Sequence, residues 1–221
     1  MRHDADGYLT LPVSIDGKRD DFLFDTGAFQ SAVTEREARK LGMTIQDDRR
    51  MLTDISGTHT AFRTAVAKEV TLGSMTFRNV SFAVITPGGA FADADVGIIG
   101  LPIILAMGGI NWSTRGTAEF GGALPASSGE SNLVFDRSRL VLRAAVLGKR
   151  VLASFDTGAN STDLNANFAD LFPDVVAGGK KGLSDFSGAG GECCIANAGH
   201  DLLKQGPGFV LNLSTMILQL R

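Results

Sequence analysis

Two aspartates stand out by the residues around them. Phe24-Asp25-Thr26-Gly27-Ala28 returns as Phe155-Asp156-Thr157-Gly158-Ala159, and Gly17-Lys18-Arg19 ahead of the first returns as Gly148-Lys149-Arg150 ahead of the second. Both matches have one offset, 131 residues (17 to 148, 25 to 156), and Asp54-Ile55-Ser56-Gly57 returns at the same offset as Asp185-Phe186-Ser187-Gly188. An acid at the end of a buried apolar run, followed by Thr and Gly, is poor material for a plain turn. Gly27 and Gly158 let the backbone approach a carboxylate and offer it an N–H, while the hydroxyls of Thr26 and Thr157 are suited to bracing the opposite loop. If the two copies pack about a pseudo-twofold axis, the carboxylates of Asp25 and Asp156 face each other. Two such groups share one proton and titrate as a pair. One is then a base for water and the protonated partner polarises a carbonyl, which predicts hydrolysis without a covalent intermediate.

The rest of the composition narrows the field. The chain has 221 residues, 44% hydrophobic and 20% charged, enough to bury a sizeable core. A net charge of −3 with scattered Lys and Arg provides no basic stripe for a phosphate backbone, so nucleic acid is not an expected partner. The longest apolar stretch, Val96 to Ile110, is broken by Pro102 and four glycines and falls short of the roughly 20 residues that cross a bilayer. Three scattered histidines (His3, His59, His200) and adjacent Cys193-Cys194 show no ligand spacing, so neither a metal nor another cofactor is expected. No apolar stretch of signal-peptide length precedes the first strand-like segment; the compartment stays open, cytoplasmic as the chain stands and periplasmic or secreted if a leader was removed.

The elements that must position the aspartates are short strands. Tyr8 to Ile15 alternates apolar and polar residues, Asp16-Gly17 is a hairpin signal, and Phe22-Leu23-Phe24 suits a strand buried on both faces. Thr34 is placed to cap a helix from Glu35 to Leu41 that ends on Gly42. Val66 to Leu72 and Phe77 to Ile85 are further strands. Gly100 to Leu105 and Gly199 to Lys204 each open a helical turn, and Ile110 to Thr114 and Leu211 to Thr215 are closing strands entering turns. Trp112, Phe22, Phe24 and Phe155 are assigned to the core. The fold expected is mainly β, bilobal and pseudo-twofold, with short helices: an N-terminal lobe over 1–122, a linker over 123–130 and an abbreviated C-terminal lobe over 131–221.

With the paired Phe-Asp-Thr-Gly-Ala blocks, Ile98-Ile99-Gly100 and its weaker counterpart Asn197-Ala198-Gly199, the chain resembles the retropepsin-type aspartyl proteases of bacteria and retroviruses, as two tandem copies. The resemblance implies a pepsin-like acid protease fold, catalytic Asp25 and Asp156 supported by Thr26, Gly27, Thr157 and Gly158, and a β-barrel lobe on each side. It also implies an extended peptide or protein substrate under glycine-tipped flaps, Ile55-Ser56-Gly57 and Phe186-Ser187-Gly188, with Asp54 and Asp185 as turn residues. Ala28 and Ala159 after the triplets follow the retropepsin habit, and the lone tyrosine, Tyr8, rules out a tyrosine-tipped flap.

The copies are unequal. Gly57 to Gly100 spans 43 residues but Gly188 to Gly199 only 11, so the second half is 32 shorter. Asn197-Ala198 also replaces two bulky apolar residues, which predicts weaker support for Asp156. The function expected is aspartic endopeptidase; the alternative is a peptide-binding module of the same fold with weak or no turnover. A homodimer that completes the second half stays open. A haloacid-dehalogenase-type phosphatase is disfavoured because Gly27 stands where its second Asp belongs.

Overall fold

The computed structural model describes residues 2–3, 8–53, 59–85, 97–121, 124, 129–177 and 194–221. Alternation builds the first hairpin. After the short β1 (Arg2–His3), β2 (Leu9–Ile15) buries Leu9, Leu11, Val13 and Ile15 and turns the residues between them outward. Asp16 and Gly17 both take positive φ, 49° and 84°, the twist that a two-residue hairpin turn requires, and β3 (Lys18–Phe24) returns antiparallel to end on buried Phe22-Leu23-Phe24.

Beyond the first aspartate come β4 (Ala32–Thr34) and α1 (Glu35–Leu41). Thr34 Oγ1 accepts the Glu37 N–H at 3.2 Å, and Gly42 closes the helix in the left-handed region at φ 81°, both as the capping residues predict. The chain then forms β5 (Thr44–Ile45), β6 (Arg50–Thr53), β7 (His59–Leu72), β8 (Met75–Ile85), β9 (Gly97–Ile99), α2 (Leu101–Ala106), β10 (Gly109–Ser113) and β11 (Ala118–Phe120). The strands assigned to Val66–Leu72 and Phe77–Ile85 are thus present, within longer β7 and β8. A nine-stranded sheet runs β1-β2-β3-β9-β4-β8-β7-β5, with β6 on β7, and a further β2–β7 pairing bends it into a barrel.

In the second half the elements are β12 (Leu133–Asp136), β13 (Arg139–Val146), β14 (Lys149–Phe155), β15 (Asp163–Leu164), α3 (Ala166–Leu171), α4 (Pro173–Ala177) and β16 (Ala196–Ala198). A 3₁₀ helix (His200–Gln205), β17 (Gly208–Asn212) and β18 (Ile217–Leu220) follow. Its sheet has five strands in the order β12-β13-β14-β16-β15. The repeat is visible element by element: β3, β4 and α1 recur at an offset of 131 as β14, β15 and α3 (18 to 149, 32 to 163, 35 to 166). From β9 onward the offset is 99 (97 to 196, 109 to 208), a difference of 32 that falls where the first half carries β5 to β8.

A four-stranded sheet, β11-β10-β17-β18, joins the halves. Gly109 faces Asn212 and Ser113 faces Gly208 in its central antiparallel pair, and a Cβ on Gly109 or Gly208 would lie 2.0 Å from Leu211 O or 2.2 Å from Trp112 O. Only glycine allows that approach at their positive φ, 138° and 157°. Trp112, assigned to the core, is buried and stacks on Phe209 at 5.3 Å. The second closing strand sits earlier than 211–215: Asn212 Oδ1 accepts the N–H groups of Ser214 (3.0 Å) and Thr215 (3.1 Å), an Asx turn that ends β17 at Asn212. One core runs through both halves, from Phe24 and Ile99 to Phe155, Leu140 and Leu211, and Val151, Phe168, Phe172 and Ile195 form a smaller cluster under α3. Each of these large side chains contributes about 1.5–3 kcal/mol by leaving water.

Candidate active site

Asp25 and Asp156 each follow the last residue of a buried strand, β3 and β14. Those strands are held in parallel register by β9 and β16, so that Asp25 N donates to Ile99 O at 3.0 Å and Asp156 N to Ala198 O at 2.9 Å. The loop behind each is pinned alike. Gly100 N donates to Ser31 Oγ (3.0 Å) and Gly199 N to Thr162 Oγ1 (3.1 Å). Leu101 N donates to Ala28 O (2.8 Å) and His200 N to Ala159 O (2.9 Å).

The two triplets meet and lock. Thr26 N donates to Thr157 Oγ1 and Thr157 N to Thr26 Oγ1, both at 3.0 Å. The hydroxyls then donate across the junction, Thr26 to Phe155 O at 2.8 Å and Thr157 to Phe24 O at 2.7 Å. Both threonines are fully buried, so six polar groups, two N–H, two hydroxyls and two carbonyls, satisfy one another through four hydrogen bonds. A Cβ on Gly27 would lie 2.4 Å from Asp156 Cγ, and one on Gly158 would lie 2.3 Å from Asp25 Cγ. Each carboxyl therefore rests on the glycine of the other triplet.

Backbone donors aim the carboxyls. Asp25 Oδ1 accepts from Gly27 N (2.8 Å) and Ala28 N (3.0 Å), and Asp156 Oδ1 from Gly158 N (2.9 Å) and Ala159 N (3.2 Å). Burial, followed by the charge and hydrogen bond of Asp156, pushes Asp25 up to about 7 against the pull of those two N–H groups. Asp25 so raised keeps its proton toward neutral pH. Two carboxyls placed together in this way can give and take protons at one point.

Of the residues singled out in the sequence, Asp25, Thr26, Gly27, Asp156, Thr157 and Gly158 come together at this junction. The arms of the first hairpin also form, with β6 and β7 paired in register from Arg50↔Phe62 to Thr53↔His59. Its expected tip, Asp54, Ile55, Ser56 and Gly57, lies outside the described residues, as do Asp185, Phe186, Ser187, Gly188 and Cys193. Cys194 is buried. Among the described residues, no cluster of His, Cys, Asp or Glu could hold a metal ion and no helix is long and apolar enough to cross a membrane.

The expected weakness at Asn197 takes a different form. Asn197 Nδ2 donates to Asp156 Oδ2 at 3.1 Å, while Ser154 Oγ donates to Asn197 Oδ1 at 2.7 Å. Asp156 is thereby supported by a side chain with no counterpart at Asp25 among the described residues, where the equivalent strand pair is Leu23 and Ile98. The signal was present as a break in the apolar pattern of the repeat; its direction, toward the carboxyl, depends on register between strands 43 residues apart.

Residues 11–103 match the family model described as aspartyl protease. No curated protein matches the chain. Among solved structures, a retropepsin-like aspartic protease from Rickettsia conorii is 21% identical, covering 49% of this chain and 78% of its own at a TM-score of 0.38. The EIAV protease complexed with the inhibitor HBY-793 is 20% identical, covering 49% of this chain and 95% of its own at a TM-score of 0.35. In its first half by sequence, the chain resembles the aspartyl proteases.

Proposed function

We propose that the protein is an aspartic endopeptidase that hydrolyses peptide bonds with a water activated between Asp25 and Asp156. The observation that carries this reading is the reciprocal threonine lock, which sets two carboxyls against each other in one chain with a backbone-donor pair behind each. One aspartate takes a proton from water as its oxygen bonds to the carbonyl carbon, and the other gives its proton to the carbonyl oxygen. In the resulting diol the C–N bond breaks. The amine nitrogen takes the proton held by the base, and a diol hydroxyl returns one to the other acid, so the pair ends singly protonated as it began. The β6–β7 hairpin supplies the strand edge along which an extended peptide would lie.

A second reading, a peptide-binding module without turnover, is favoured by one observation. Between α3 and β16 the described residues of the second half hold only α4, where the first half has β5 to β8 between α1 and β9. The two readings separate when the protein is incubated with a mixture of synthetic peptides at mildly acidic pH and the products are identified by mass spectrometry. Endopeptidase activity yields internal cuts that vanish in Asp25→Asn and in Asp156→Asn. Peptides retained intact by the wild type would leave only the binding module.

A further inference from the structure

The aspartates are alike in backbone and unlike in side-chain support. Asp156 accepts three N–H donors, from Gly158, Ala159 and Asn197, whereas Asp25 accepts those of Gly27 and Ala28. The third donor is itself oriented: Ser154 donates to Asn197 Oδ1 at 2.7 Å, which turns Nδ2 toward Asp156, and the two residues face each other across β14 and β16. Ser154 is buried, and its hydroxyl also lies 3.3 Å from Ala196 O. At the matching place in the first half, Leu23 faces Ile98 and offers nothing polar.

We infer that Asn197 is a positioning residue that makes the pair unequal, holding Asp156 as the proton acceptor and leaving Asp25 as the partner that carries the shared proton. The inference rests on the peptidase reading for its consequence but not for its geometry. An amide N–H is a donor only, so it complements an oxygen that bears charge and opposes one that bears hydrogen. Asp25, which has neither a third donor nor a cation among the described residues, is raised by burial and by its partner's charge, which agrees with that division. The neighbours that β9, β14 and β16 bring to the pair are Ile98, Ile99, Ser154, Phe155, Asn197 and Ala198, none of which titrates. In the hydrolytic step, water then loses its proton to Asp156 and the substrate carbonyl gains the proton of Asp25.

The test is carbon-13 NMR of the aspartate carboxyls, assigned through Asp25→Asn and Asp156→Asn, across a pH series. The wild type is compared with Asn197→Ala and with Ser154→Leu/Asn197→Ile, which installs the apolar pair of the first half. The expected result is an Asp25 carboxyl that keeps its proton toward neutral pH beside a charged Asp156 in the wild type, with the proton shared evenly in both variants. Where cleavage of the peptide mixture is measured, kcat falls roughly tenfold with KM within about twofold, and the pH profile shifts. A wild type in which Asp156 holds the proton, or variants that keep the wild-type order, would overturn the inference; Asn197→Ala decides it if the double variant does not fold. Spectra as expected beside a wild type that cuts nothing would sink the peptidase reading and leave the role of Asn197 standing.

Discussion

The two halves agree where they touch and diverge away from the contact. Behind each aspartate the hydrogen bonds repeat to within a few tenths of an ångström: strand N–H to Ile99 or Ala198, glycine N–H to Ser31 or Thr162, hydroxyl to the opposite Phe carbonyl. Farther out, the first half carries β5 to β8 between α1 and β9, whereas the described residues of the second hold α4 between α3 and β16, in a span 32 residues shorter by the change in offset from 131 to 99. Setting two carboxyls together takes two copies of one turn, and those copies are what the halves share.

The largest effect expected from breaking this equivalence is on chemistry. Asp25→Asn and Asp156→Asn each reduce cleavage roughly 10³- to 10⁴-fold, because either change removes one of the two proton-transferring groups. Equal losses on a peptide substrate would support the symmetry of the turn; a surviving variant would place the chemistry in one half alone. Next in size is the lock. Thr26→Val and Thr157→Val each strand an opposing N–H and carbonyl, and each lowers unfolding free energy in urea by about 2–4 kcal/mol. Their double variant should lose less than the sum, since both belong to one network.

How much of this was legible in the sequence follows the same division. β2, its Asp16-Gly17 turn, β3 and the capped α1 are local events, announced by alternation, positive-φ residues and end caps within a dozen positions. The repeat exposed Asp25 and Asp156 as a pair because one offset holds through both triplets. The β10–β17 pairing that closes the molecule was not legible. It joins residues about a hundred positions apart and depends on two glycines whose role is set by the carbonyls opposite them. Asn197 was visible as an anomaly, but its meaning required knowing that β16 lies beside β14.

Gly109→Ala and Gly208→Ala drive a Cβ into a carbonyl at equivalent places in the joining sheet, and each should destabilise by roughly 2 kcal/mol or more in thermal unfolding. The raised Asp25 makes the folded chain hold more proton than the unfolded one between the ordinary carboxylate range and about 7. The contribution of Asp25 to stability is therefore full below the ordinary carboxylate range and declines through that window by up to about 1.4 kcal/mol per pH unit, and Asp25→Asn should remove this part of the pH dependence of Tm. The smallest effect belongs to the hairpin turns. Exposed Leu147 occupies the left-handed region at φ 48°, as Asp16 does at 49°, so Leu147→Asn should stabilise by about 1 kcal/mol while Asp16→Asn changes little.

The central claim is that one chain holds both working aspartates, and mixing tests it most directly. Asp25→Asn and Asp156→Asn proteins are prepared separately, combined, unfolded and refolded together, and assayed on the peptides that the wild type cuts. The account predicts that the mixture stays as inactive as either variant, because no folded chain in it carries both acids at one junction. Activity recovered on mixing would show that the site forms between chains, and would contradict it.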